Sequence, residues 1–87
     1  AEARRWYQRA AEQGSAHALR GWAFMLLSGD GGPADPIRGA AYLDLAAKAG
    51  DENAISLWPR VETFAAENRT AIEAVKAAWV REHGTPR

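Results

Sequence analysis

Four side chains along one predicted helix could form a contact surface for another molecule. At 100° per residue, His17, Arg20, Phe24 and Leu27 fall on one side of a helix running from about Ala16 to Ser28. The other side holds Ala18, Leu19, Trp22, Met25 and Leu26. An aromatic ring near a cation and an imidazole suits a site that binds a protein partner. The alternative is that Phe24 and Leu27 pack on a neighbouring helix, since single apolar residues are common at protein surfaces.

Neither catalysis nor metal binding has a recognisable motif. His17 and His83 are far apart in the sequence, without a cysteine or carboxylate at a metal-motif spacing. No serine begins a Ser-x-x-Lys motif, and the Gly29 to Gly32 run lacks the Gly-Lys-Ser/Thr of a phosphate loop. We therefore predict no catalytic, cofactor or metal site, although a nucleophile and base that meet only in three dimensions would leave no such pattern. Acidic residues that could serve as a catalytic base lie scattered over loops and outer faces, with no paired arrangement in the sequence: Asp30, Asp35, Asp44, Glu62 and Glu67.

Charge and hydropathy exclude two classes of partner. Eleven basic and eleven acidic residues cancel, so no net field attracts a nucleic acid backbone. No apolar run approaches the roughly 20 residues that cross a bilayer. We predict neither nucleic acid binding nor membrane insertion.

An internal repeat determines how these side chains are arranged. Pairs of similar residues are separated by 36 positions: Trp6 and Tyr42, Ala10 and Ala46, Ala11 and Ala47, Gly14 and Gly50, Ala18 and Ala54, Trp22 and Trp58. Such a period predicts an all-α stack of helix pairs that share one core. Aromatic residues at repeat positions are accordingly expected in that core: Trp6, Tyr7, Trp22, Tyr42 and Trp58.

Glycine, proline and capping residues delimit about five helices. Gly14 and Gly50 each end an alanine-rich stretch, and Ser15 and Asp51 directly after them can cap the next helix. Asp35-Pro36 supplies a further cap, with proline at the first helical position. The helices are therefore predicted at Glu2 to Gln13, about Ala16 to Ser28, Pro36 to about Ala49, from about Glu52 with a kink or late start at Trp58-Pro59, and from between Ala66 and Thr70 to about His83.

The last predicted helix has a narrow apolar stripe, Ile72, Val75 and Trp79, which we expect to pack on the preceding helix. The expected contacts are Leu57, Val61 and Phe64. The polar residues, Lys76 among them, should face water, as in a helix that caps the last repeat.

The string Ala3-x-x-Trp6-Tyr7-x-x-Ala10-Ala11-x-x-Gly14-x-Ala16-x-Ala18, followed by a glycine-rich loop, resembles the Sel1-like repeat, a relative of the tetratricopeptide repeat. The resemblance implies a right-handed α-solenoid of antiparallel helix pairs. It divides one domain, 1–87, into the second helix of a partial repeat (1–14), one complete repeat (15–50), a partial repeat (51–65) and a capping helix with its tail (66–87). A first helix that is already under way at Ala1 suggests a segment of a longer array.

The resemblance also implies a class of function. Such repeats act as adaptor or scaffold modules, which predicts a non-enzymatic module that binds a protein or peptide on its concave helical surface. The alternatives are a regulatory or substrate-positioning appendage of a larger bacterial envelope enzyme, and an end-cap without a ligand. Localisation is left open between the bacterial periplasm and cytoplasm.

Gly14 and Gly50 give a first testable prediction. Both should have positive φ, because each ends a helix just before the next begins, so alanine at either position should cost about 1 kcal/mol of stability. Thermal or urea unfolding measures this loss. An unchanged unfolding midpoint would contradict the assigned helix boundaries.

Overall fold

The computed structural model of the protein describes residues 2–87, and all regular secondary structure in that range is helical. Ala1, where the predicted mid-helix start falls, lies outside the described residues. Six α-helices follow one another, with a 3₁₀ turn at Trp58–Arg60: α1 (Glu2–Glu12), α2 (Ala16–Ser28), α3 (Pro36–Lys48), α4 (Glu52–Leu57), α5 (Glu62–Glu67) and α6 (Arg69–His83).

The predicted caps begin three of these helices. The side chains of Ser15, Asp35 and Asp51 each accept a hydrogen bond from the backbone N–H three residues later, at 3.1, 3.2 and 2.9 Å. Each bond satisfies one of the donors that the first turn of a helix leaves free. The predicted span of the second helix is thereby confirmed.

The positive φ angles predicted for the two glycine stops are confirmed. Gly14 has φ +102° and Gly50 has φ +97°. A side chain at such a φ is strained. A Cβ added at Gly50 would meet open space, so alanine there tests the backbone strain with no added clash.

The predicted break at Trp58-Pro59 is also confirmed. α4 ends at Leu57, the 3₁₀ turn follows, and α5 begins only at Glu62. Proline removes one backbone donor and disfavours helical geometry just before it. One predicted helix is therefore divided into two short ones.

The core forms chiefly where α2 packs against α3, with α1 on another side of α2. The rings of Trp22 and Tyr42 stack with centroids 4.9 Å apart and planes at 26°. Leu27 lies so close to α3 that a Cβ at Gly39 would come within 2.7 Å of its Cγ atom. The two helices can approach this closely only because position 39 has no side chain.

The last helix, α6, packs on a different helix from the one predicted. Ile72 and Trp79 are buried and Val75 is half-buried, but α6 packs mainly on α3. The ring of Trp79 lies 4.9 Å from that of Tyr42 and 5.8 Å from that of Trp22. The expectation that this stripe rests mainly on the preceding helix is therefore wrong. The chain turns at residues 58–61 and at 68, and these turns carry α6 back to the rings of Trp22 and Tyr42.

The C-terminal tail joins this helix to the first hairpin. The Arg87 N–H donates to the Gly14 carbonyl oxygen at 2.7 Å, and the Ala16 N–H donates to the Arg87 carbonyl oxygen at 2.9 Å. Pro86 is buried beside them. The tail thus ties α6 to the turn between α1 and α2.

The core role predicted for the repeated aromatic residues fails at Trp6. Trp22 and Tyr42 are buried and Tyr7 and Trp58 half-buried, but Trp6 is 62% exposed. Tyr42, its equivalent in the next copy, is covered by a residue of the preceding helix. The Trp6 ring makes an edge-on contact with Tyr7, with ring centroids 5.3 Å apart, and stays largely exposed. The handedness of the stack stays a prediction.

Lys76 corrects the expected polar face of α6, because it is buried. Its ammonium group pairs with Asp44 of α3 and, at 3.0 Å, with Glu73. Burial by itself lowers the pKa of the Lys76 ammonium, but the hydrogen bonds to Asp44 and Glu73 outweigh that effect and raise the pKa above its usual range. The position fits the apolar stripe, since Ile72, Lys76 and Trp79 follow at i, i+4 and i+7.

Replacing Trp79 by alanine should be strongly destabilising. The change removes a ring from the Trp22 and Tyr42 cluster, and loss of a buried tryptophan costs about 3 to 5 kcal/mol. Urea unfolding of the Trp79→Ala chain measures the loss. Val80→Ala, a change at the exposed neighbouring residue, is the control and should stay within about 0.5 kcal/mol of the parent. Equal effects of the two changes would contradict the packing of α6.

Lys76 should also make stability fall at high pH. Because its folded-state pKa is raised, the stabilisation is complete below the unfolded lysine pKa of about 10.4 and is lost as pH rises through the folded value. Over that range, Lys76 adds a decline of up to about 1.4 kcal/mol per pH unit to the free energy of unfolding. Urea unfolding of Lys76→Met should lack this added slope. The exposed Lys48, which also pairs with Asp44, is the control, and Lys48→Met should keep it. The same slope in Lys76→Met as in the parent would refute the assignment.

Candidate partner-binding groove

An open groove of about 600 Å³ runs along the exposed side of α2, between α1 and α4. Residues from all three helices and from the glycine-rich loop line it: Ala3, Tyr7, Arg20, Gly21, Phe24, Met25, Asp30, Asn53, Ser56 and Leu57. Apolar and aromatic groups thus form its surface, with a few polar groups among them, as in many ligand sites.

The floor depends on a glycine in the middle of α2. A Cβ at Gly21 would lie 2.6 Å from Cε1 of the Tyr7 ring and 3.0 Å from its Cζ. The ring therefore lies directly against the α2 backbone. A glycine in a helix interior costs about 0.5 to 1 kcal/mol relative to alanine, and here it allows this close approach.

One polar part of the groove is organised by Asp51. The Oδ2 atom of Asp51 accepts from the Ala54 N–H at 2.9 Å, which caps α4, and from Nε of Arg20 at 3.2 Å. The Arg20 and Asp51 side chains are both largely buried. The cap of α4 therefore also fixes Arg20 on α2.

His17 lies beside this ion pair. Its Nδ1 is 2.9 Å from Nη2 of Arg20 and 3.9 Å from Oδ1 of Asp51. Because arginine can only donate, Nδ1 of His17 accepts in this contact. The His17 side chain itself is mostly exposed.

Phe24 and Leu27 lie in different surroundings in the structure. Phe24 is 50% exposed and lines the groove. It also borders a smaller cavity of about 160 Å³, where Leu27 lies with Leu43 and Leu57. Leu27 is half-buried and packs on Gly39, as the packing alternative expects. Arg20 and Phe24 are thus the two predicted residues that line the groove, with His17 joined to Arg20.

The glycine-rich loop is held in place by Arg4. Its guanidinium donates to the carbonyl oxygens of Met25 at 2.9 Å, Asp30 at 2.9 Å and Pro33 at 3.0 Å. A side chain of α1 therefore fixes the loop that contributes Asp30 to the groove.

Several groove residues cannot be found by reading the sequence. Asn53 and Ser56 belong to the groove only because α4 lies beside α2. The helical projection of the sequence places Met25 on the opposite side of α2 from Phe24. The repeat pattern predicts Tyr7 only as a core residue. The one sequence signal for Tyr7 in the groove is Gly21, because a glycine in the middle of a helix can mark a close approach of another group to the helix backbone.

Metal ligands do not converge anywhere in residues 2–87: no group of three or more histidine, cysteine, aspartate or glutamate side chains could hold an ion. Two of the scattered acidic residues make structural contacts. Asp44 pairs with Lys48 and Lys76. Asp35 caps α3, and its Oδ2 atom lies 3.8 Å from Nη1 of Arg38.

The described helices define a class of protein, the α-helical repeat proteins, in which one hairpin unit recurs along the chain. The Sel1 repeat family model matches residues 1–15 and 16–51. The chain therefore belongs to the Sel1 repeat family. Neither the curated proteins nor the solved structures contain a match to it.

Proposed function

We propose that this chain is a non-enzymatic adaptor or scaffold module that binds a peptide segment of a protein partner in the groove along α2. Sel1 repeats are generally protein–protein interaction modules, which sets the class of function. The observation that carries the site is Phe24, an aromatic side chain half exposed in an apolar groove.

The groove offers the elements of a small binding hot spot. Phe24 can serve as an aromatic anchor, with the Tyr7 ring and Met25 beside it. Hot spots favour aromatic residues and arginine in partly enclosed positions. Asp51 already holds the Arg20 side chain in place, so binding a partner costs little additional conformational entropy at Arg20.

Polar groups around this anchor suit a peptide. Asn53 and Ser56 of α4 present an amide and a hydroxyl, which can donate to and accept from a peptide backbone. His17 and Arg20 lie in one part of the rim, and the acidic Asp30 comes from the loop. Such groups would orient a bound segment and select among sequences.

The balanced charge of the chain argues for a protein partner over a nucleic acid. No helix within residues 2–87 has the length and apolar character to cross a membrane.

Selection from a random peptide display library on the immobilised folded chain tests the site. Peptides that bind the groove should lose affinity with Phe24→Ala by about 1 to 3 kcal/mol, or roughly 5- to 150-fold in Kd. Arg20→Ala should weaken them as well. Isothermal titration or fluorescence anisotropy measures each Kd.

Val80→Ala is the matched control, because Val80 is an exposed apolar residue of α6 outside the groove lining. It should leave the Kd unchanged. Binding peptides whose affinity is indifferent to both Phe24→Ala and Arg20→Ala would refute the proposed site.

A further inference from the structure

The charged groups of the groove lie at its two opposite ends. Asp51, just before α4, holds Arg20 near the start of α2. Asp30 follows the end of α2, where Arg4 of α1 donates to its carbonyl oxygen at 2.9 Å. Phe24 lies between them, one turn after Arg20. The groove thus presents a cation, an aromatic ring and a carboxylate, in that order along α2.

Arg20 keeps hydrogen-bond donors for a bound molecule. Its Nε atom donates to Asp51 at 3.2 Å, and its Nη2 atom contacts His17 at 2.9 Å. Within residues 2–87, Nη1 of Arg20 makes no hydrogen bond. Since no buried side-chain nitrogen or oxygen in that range lacks a partner, Nη1 is open to solvent. An arginine fixed in this way offers its remaining N–H groups to a carboxylate in a set orientation.

A carboxylate suits this position better than a phosphate. Among the described residues that line the groove, Arg20 is the only basic one, and the Asp51 carboxylate already neutralises part of its charge. Recognition of a phosphorylated side chain uses clusters of arginines, because the group carries a charge of about −1.5 to −2. One guanidinium matches the single charge of an aspartate or glutamate side chain.

The Asp30 carboxylate is available at the other end. Asp30 is exposed. Arg4 donates to backbone carbonyl oxygens only, including that of Asp30 itself. Across residues 2–87, the Asp30 carboxylate takes part in no ion pair and no hydrogen bond of the protein. Its charge can therefore pair with a basic side chain of a partner.

The spacing of these groups matches an extended segment. Arg20 and Phe24 are about 6 Å apart along the axis of α2, and Phe24 is about 6 Å from Ser28 at the end of the helix. In an extended chain, residues i, i+2 and i+4 face one side at intervals of about 6.6 Å. Asn53 and Ser56 can bond to the backbone N–H and C=O groups that an extended segment leaves free, whereas a bound helix satisfies its own.

Resting on the proposed peptide site, we infer that the partner is an extended segment with an acidic side chain at i, a large apolar one at i+2 and a basic one at i+4, or the same set in the reverse chain direction. The acidic side chain binds Arg20, the apolar one packs on Phe24 and the basic one pairs with Asp30.

Four pools of synthetic nine-residue peptides test this charge order. Each pool has leucine at the centre and carries Glu and Lys, Lys and Glu, Glu and Glu, or Lys and Lys two residues before and two residues after it, with neutral polar residues elsewhere. Acetylated and amidated ends leave the side chains as the only charges. Fluorescence anisotropy measures the apparent Kd of each pool.

One of the two mixed pools, the one with the correct chain direction, should bind most tightly. Its advantage over the like-charged pools should be about 2- to 5-fold in Kd, the effect of one exposed charge pair. The advantage should shrink in 1 M NaCl, where the screening length is about 3 Å.

Reversing the charge at Asp30 gives the sharpest result. Asp30→Lys places a cation at both ends of the groove, so the tightest binding should move from the mixed pool to the Glu and Glu pool. The Asp30 side chain is exposed and makes no bond, and circular dichroism should show unchanged helical content and cooperative melting. Glu67→Lys is the matched control, because it makes the same change in net charge at an exposed residue of α5 outside the groove lining. It should keep the preference of the parent.

The inference is overturned if neither mixed pool binds the parent more tightly than both like-charged pools. A preference that Asp30→Lys leaves in place, or that Glu67→Lys shifts equally, overturns it as well. If the affinities in these cases still fall with Phe24→Ala, the proposed peptide site stands without the charge order. Affinities indifferent to both Phe24→Ala and Arg20→Ala would overturn the site itself, and the inference with it.

Discussion

The contact between the rings of Trp22 and Tyr42 is the one on which the other parts of this structure depend. It joins the two helices of the complete repeat, and the closeness of those helices depends in turn on the missing side chain at Gly39. Trp79 of the last helix adds its ring to the same pair, and the tail beyond it bonds to the turn between α1 and α2. A chain of only 87 residues thereby encloses a core that one helical hairpin could not form alone.

A single carboxylate connects this architecture to the groove. Asp51 caps α4 and holds Arg20 of α2, so the bond that starts a helix also orders a residue at the proposed binding surface. Gly21 acts similarly on α2, where the absence of a side chain lets the Tyr7 ring form part of the floor. Both arrangements couple the stability of the repeat to the shape of the groove, because neither residue can be changed without affecting both.

The repeat also explains where apolar surface is left uncovered. In a stack of like units each helix face is buried by its neighbour, and the first and last faces lack one. Trp6 and Ile55 are exposed, whereas Tyr42 and Leu19, their equivalents 36 residues away, are buried. Phe24 differs, since it lies on α2 between α1 and α4 and lines the groove with half of its surface exposed. This exposed aromatic surface in an apolar groove supports the proposed partner site.

Local sequence determined the helices, their caps and their breaks. Ser15, Asp35 and Asp51 as caps, the left-handed Gly14 and Gly50, and the interruption at Trp58-Pro59 all act within a few residues, so the sequence alone predicts them. The string from Ala3 to Ala18 likewise carried the resemblance to the Sel1 repeat, and the match to the family model confirms it. Only the tertiary structure decided that α6 lies on α3, that Lys76 is buried against Asp44, and that Asn53 and Ser56 join Phe24 in one groove. These contacts join residues distant in sequence, and they depend on the angles at two short turns, which no local propensity specifies.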